Sequence, residues 1–78
     1  MQPLATVRPG ETARLGPPEG VEADVLRELW AMRILPGEAV TIVAVIGRNG
    51  PVLVQGAGGL FALGRRLASQ LKAEVLAQ

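Results

Sequence analysis

Seven carboxylates are the obvious candidates for metal or acid–base chemistry in this 78-residue chain, which has no histidine, cysteine or tyrosine. They are Glu11, Glu19, Glu22, Asp24, Glu28, Glu38 and Glu74. A hard cation needs several oxygen ligands in one place, and transition metals take imidazole, thiolate or carboxylate sets of definite geometry. Only Asp24 and Glu28, four residues apart, would share a helix face, and that spacing reads as a solvated face. No metal site and no cofactor is expected. The hydroxyls are Ser69, Thr6, Thr12 and Thr41. None has a histidine to act as base, and a Ser69–Lys72 pair has no other support, so no catalytic residue is assigned and the chain is not expected to be an enzyme. Gly56-Ala57-Gly58-Gly59 resembles a phosphate loop only superficially. Phe61 stands where a dinucleotide fingerprint needs its third glycine, and no Gly-Lys-Ser/Thr is present, so a tight turn is the expectation. Arg65, Arg66, Arg48 and Lys72 are read as exposed charges. A net charge of +1 and the lack of stacking aromatics argue against nucleic acid as a partner.

These residues must be held by a small framework. Ordering a chain this short costs on the order of 100 kcal/mol of conformational entropy, and without cysteine no disulfide shares that load. Close aliphatic packing, association with another chain, or both must offset it. Hydrophobic residues make up 49% of the chain, which excludes a disordered class.

Pro9-Gly10 marks a turn, Thr12–Leu15 a short strand, and Gly16-Pro17-Pro18-Glu19-Gly20 a loop. Val25, Leu26, Leu29, Trp30 and Met32 recur at three- and four-residue spacing, which predicts a helix over about Val21–Met32. Glu22 and Asp24 fall in its first turn, where negative charge suits the helix dipole. Pro36-Gly37 stops it, since the residue before proline is pushed toward extended geometry. From Glu38 to Gly47 β-branched residues dominate and favour a strand. Both of its faces are apolar, so it must be central or covered. Asn49-Gly50 signals a hairpin, and Pro51 opens the next strand, followed by Val52–Gln55. After the Gly56–Gly59 turn comes a strand over Leu60–Leu63. A short helix is expected near residues 64–70. A last strand over Leu71–Leu76 would show Leu71, Ala73 and Val75 on one face. Short strands joined by tight turns suggest a small, partly open barrel. An α+β sheet with the helix packed across it is the alternative.

Trp30 lies about 100° around the helix from Leu29. Val25, Leu29 and Met32 already define the buried stripe, so Trp30 belongs at its edge, either closing the core or meeting another chain. The doubly apolar strand Val40–Ile46 raises the same question. The N-terminus lacks a basic stretch followed by an apolar one, so no signal peptide is expected. The longest apolar run, Val40 to Gly47, is far below the ~20 residues of a membrane-spanning helix. No direct membrane insertion is expected.

Four segments, taken together, resemble the FeoA family: Leu4 with Pro9-Gly10-Glu11; Leu29-Trp30-Ala31-Met32-Arg33-Ile34-Leu35-Pro36-Gly37; Gly50-Pro51-Val52; and Ala62-Leu63-Gly64-Arg65-Arg66-Leu67-Ala68-Ser69-Gln70-Leu71. The resemblance covers nearly the whole chain. The departures are Glu28, where the family has arginine, Arg33, where it has glycine, and the segment Gly16 to Asp24 before the helix, which is unlike that of typical members. A residue in left-handed geometry at position 33 would cost roughly 1 kcal/mol.

The resemblance implies a mainly β, SH3-like barrel over residues 1–78 as a single domain. It also implies a role in bacterial ferrous iron uptake, exercised by contact with the FeoB-type transporter and its cytosolic GTP-binding part. The expected location is the cytoplasm, at the inner face of the membrane through that partner. Family members are associated with transition metal ions, yet this chain offers no ligand set. The expected contact residues are Leu26, Leu29, Trp30, Met32, Pro36 and Gly37 on the helix face and its corner, and Gly50 and Pro51 on the hairpin. Two rival readings stand beside this one. Similar barrels form the C-terminal domain of iron-dependent repressors, where this chain would be an auxiliary. A self-assembling module seamed along the apolar strand would instead make a homo-oligomer.

Overall fold

The computed structural model describes residues 1–76. Nine elements follow one another: β1 (Gln2–Pro3), a 3-10 turn (Leu4–Thr6), β2 (Thr12–Leu15), α1 (Ala23–Ala31), β3 (Ala39–Val45), β4 (Val52–Gly56), β5 (Gly59–Leu63), α2 (Arg65–Gln70) and β6 (Lys72–Val75). The strands form one antiparallel sheet in the order β1-β6-β2-β3-β4-β5. β3 is central, paired to β2 on one side and β4 on the other, as its apolar character requires.

The sheet wraps an aliphatic core. Val40 and Ile42 of β3, Val52 and Val54 of β4, Leu63 of β5, and Ala13 and Ala73 of the flanking strands are all buried. Val45 joins them at the margin. Ile42 and Val45 cannot share a face in a regular strand, where side chains alternate. A bulge between Ile42 and Ala44 inserts one residue, so Ile42 pairs with Val54 and Val45 with Val52. The inserted residue, Val43, is 47% exposed. The bulge therefore resolves the doubly apolar pattern of this strand. Outside the barrel, Thr12 and Thr41 face each other across β2 and β3, their hydroxyls 2.8 Å apart in a hydrogen bond.

The hairpin between β3 and β4 forms, though Asn49-Gly50 is not a two-residue turn. Such a turn needs a positive φ at asparagine, whereas the positive φ in this loop belongs to Gly47, at 65°. Residues 46–51 make the connection, closed by the Ile46 amide donating to the Pro51 carbonyl at 2.9 Å. β1 and the 3-10 turn had no counterpart in the sequence reading. They bring Leu4 into the core, where its amide donates to the Leu71 carbonyl at 2.8 Å.

The end of α1 decides where the rest of the chain goes. The Ile34 amide donates to the Leu29 carbonyl and the Arg33 amide to the Trp30 carbonyl, both at 2.9 Å. This is the Schellman pattern, and it requires a left-handed residue just past the helix. Arg33 supplies it, with φ 59°, so the helix closes in left-handed geometry without a glycine. Ile34 is thereby turned back onto the core beside Leu29. Leu35-Pro36-Gly37-Glu38 then forms a turn, with the Glu38 amide donating to the Leu35 carbonyl at 3.0 Å and Gly37 at φ 85°. Proline followed by a positive-φ glycine is the type II arrangement. The corner is clipped to the end of β2 by two backbone bonds: Gly37 N–H to Leu15 O at 2.8 Å, and Leu15 N–H to Glu38 O at 2.9 Å. Arg14 adds a third bond, from its guanidinium to the Gly37 carbonyl, at 2.8 Å.

The β4–β5 turn packs against this same reversal. A Cβ placed on Gly58 would overlap the Met32 carbonyl and crowd the Cβ of Arg33. Two substitutions read out the reversal in opposite directions. Arg33→Gly relieves the left-handed side chain and should stabilise the fold by about 1 kcal/mol, a Tm rise of about 4–8 °C. Gly58→Ala should destabilise it by about 1–3 kcal/mol through overpacking. Thermal unfolding followed by circular dichroism checks both.

Candidate functional site

The proposed contact residues fall into three places. Leu26, Leu29, Trp30 and Pro36 meet along one crease, with Leu15, the Gly16–Pro18 loop and Leu35 on its other side. The crease is shallow. Its free volume is about 20 Å³, little more than one water molecule needs. Apart from Lys72 its lining is apolar or glycine, and it is too small to enclose a ligand. Leu29 forms its floor, only 3% exposed and part of the core. Leu26 is half-buried on the wall. Trp30 stands on the rim, 56% exposed. The backbone explains that placement: the Schellman bonds hold Leu29 and Ile34 inward, and one residue's rotation from Leu29 carries the indole to the edge. A half-exposed indole beside a buried leucine and an exposed proline has the character of an interface anchor.

Met32 and Gly37 do not line the crease. Met32 packs at the margin of the core and presents its carbonyl to the β4–β5 turn. Gly37 is the left-handed pivot of the corner. Gly50 and Pro51 belong to the 46–51 loop and line neither that crease nor the groove between the helices. A Cβ on Gly50 would overlap the Ile46 carbonyl, so this glycine is required by the loop's own closure.

That loop has an anchor the sequence reading passed over. Arg65, read as an exposed charge, is half-buried. Its guanidinium donates to the Ala5 carbonyl at 3.4 Å and to the Arg48 carbonyl at 3.3 Å. One side chain thus ties α2 to the 3-10 turn and the hairpin loop. Its buried Nε has no partner among the described residues. Its neighbour Arg66 is exposed. Adjacent arginines on a short helix look alike in the sequence, and only the distant Ala5 and Arg48 carbonyls set Arg65 apart.

The seven carboxylates stay dispersed. Among the described residues, no three acidic side chains gather in a way that could hold a metal ion. No helix there is long and apolar enough to cross a membrane.

With this geometry in hand, known proteins give the context. The model of the FeoA domain matches residues 2–75. No curated protein matches the chain. Among solved structures, iron(II) transport protein A from Clostridium thermocellum is 29% identical, with a TM-score of 0.87 over 97% of this chain and 46% of that one. The FeoA protein from Chlorobium tepidum is 22% identical, with a TM-score of 0.87 over 99% of this chain and 71% of that one. IdeR of T. acidophilum shares the fold at 22% identity and a TM-score of 0.83, over 95% of this chain and 33% of that one. The SH3-like architecture is thus shared with iron(II) transport protein A and with about a third of the IdeR chain. The match over residues 2–75, nearly the full length of this barrel, shows that the chain belongs to the FeoA family.

Proposed function

We propose that this protein is a non-enzymatic accessory of ferrous iron uptake, acting by contact with the cytosolic GTP-binding part of a FeoB-type transporter. It would work in the cytoplasm, held at the inner face of the membrane by that partner. The observation that carries the reading is the half-exposed Trp30 on the rim of the apolar crease, in a chain of the FeoA family. The crease has too little room to enclose a small molecule, and its mostly apolar surface, Lys72 apart, suits being covered by another protein.

The assignment of roles follows exposure. Trp30 and Pro36 present surface, Leu26 contributes from the wall, and Leu29 supports them from beneath. Met32 and Gly37 act indirectly, by fixing the end of the helix and the corner. Gly50 and Pro51 would form a second, smaller contact on the hairpin loop. Iron is the transporter's cargo in this reading, and no side chain here is asked to hold it. A single domain over the whole chain suffices for such a role, with or without a second copy.

The test is the Trp30→Ala variant, titrated with the purified GTP-binding part of the transporter and with the full-length transporter in detergent, by isothermal calorimetry. Trp30 is over half exposed, so stability should fall by about 1 kcal/mol or less. Removing an interface anchor should cost about 2 kcal/mol of binding, roughly thirtyfold in Kd. Unchanged affinity, or no binding by the wild-type chain to either form, would overturn the proposal.

A further inference from the structure

A second surface lies on the other flank of α1. Around the helix, Leu26 and Trp30 fall on one side of the buried Leu29, and Val25 and Glu28 on the other. On that second side a groove of about 430 Å³ runs between α1 and α2. Val25 and Glu28 line it from α1, Glu22 from the extended residue just before that helix, and Arg66, Leu67 and Gln70 from α2. Val25 and Leu67 are half-buried and pack against the core, so they give the groove an apolar floor. Glu22 and Glu28 form an acidic wall and Arg66 stands on the facing one, all three exposed. Opposite charges therefore line the two sides. Among the described residues no hydrogen bond joins them.

We infer that this groove binds an amphipathic helix of another protein, one whose apolar stripe has basic residues along one flank and acidic residues along the other. The apolar stripe would cover Val25 and Leu67. The basic flank would meet Glu22, just before the helix, and Glu28 within it. The acidic flank would meet Arg66. Charge complementarity selects this occupant: a helix with the same sign on both flanks meets like charge on one wall, which is destabilising. The groove does not depend on the transporter reading, because it shares no lining residue with the Trp30 crease.

The probes are three synthetic helices of about 15 residues, with one leucine stripe and different flanks. One carries lysine on one flank and glutamate on the other, one carries lysine on both, and one glutamate on both. Each is titrated into the isotopically labelled chain and followed by amide chemical shifts. The mixed helix should bind about five- to tenfold more tightly than either uniform one, moving the amides of Val25 and Leu67. Arg66→Glu should then favour the all-lysine helix, and Glu28→Lys the all-glutamate helix. Both sites are exposed, and unchanged shifts across the sheet verify that the variants fold. Equal binding of the three helices, no binding, or shifts centred on Trp30 would each overturn the inference. So would binding of a lysine–glutamate dipeptide as tight as the helix, or groove shifts that depend on protein concentration alone, since these point to a small ligand or a second copy.

Discussion

The left-handed turn at Arg33 is the constraint on which the rest of the molecule depends. The helix has nine residues and would be marginal by itself. What holds it is the pair of backbone bonds that close its end onto Leu29 and Trp30 and return Ile34 to the core. The Pro36–Gly37 corner then bonds to Leu15 on β2, which sets the direction in which β3 enters the sheet. The β4–β5 turn rests on the Met32 carbonyl, so the far hairpin is located by the same reversal. A local conformational cost of roughly 1 kcal/mol is thereby offset by contacts from three parts of the chain.

The same reversal positions function. Because Leu29 and Ile34 are drawn inward, the residues between and beside them are turned out in a fixed order. Trp30 is carried to one flank of the helix and Glu28 to the other. The indole then overhangs a crease made with the Gly16–Pro18 loop, and the carboxylate faces α2 across the groove. Both surfaces have apolar floors drawn from the core margin, and they differ in their rims: one aromatic and nearly uncharged, the other divided between acid and base.

Much of this was legible in the residues. The 3.6-residue spacing from Val25 to Met32 located α1 to within two residues at each end, because a buried stripe leaves a strong periodic trace. The β-branched run located β3, and the glycines at 56–59 the tight turn after β4. The rim position of Trp30 followed from its angle to Leu29. Other features were hidden for physical reasons. The bulge at Val43 leaves no local mark, since an unbroken apolar run looks the same with or without a change of phase. Asn49-Gly50 carries the propensity for a two-residue turn, yet the pairing of Val45 with Val52 leaves a longer loop pivoting on Gly47. β1 is two residues long and exists only because β6 is there to pair with it. Arg65 became a tie between three segments through distant backbone carbonyls, and no spacing in the sequence announces those. The groove between α1 and α2 likewise joins residues some forty positions apart.

The central claim is that this barrel works by contact at the rim of α1. The chain has a single tryptophan, so its indole N–H gives one nuclear magnetic resonance signal that reports on that rim alone. Adding the GTP-binding part of a FeoB-type transporter to the isotopically labelled chain should shift or broaden that signal first. The amides of residues 26–35 should follow, while those of Gln2 and β6 stay in place. An indole signal that stays fixed while the complex forms, or perturbations centred on the sheet, would contradict it.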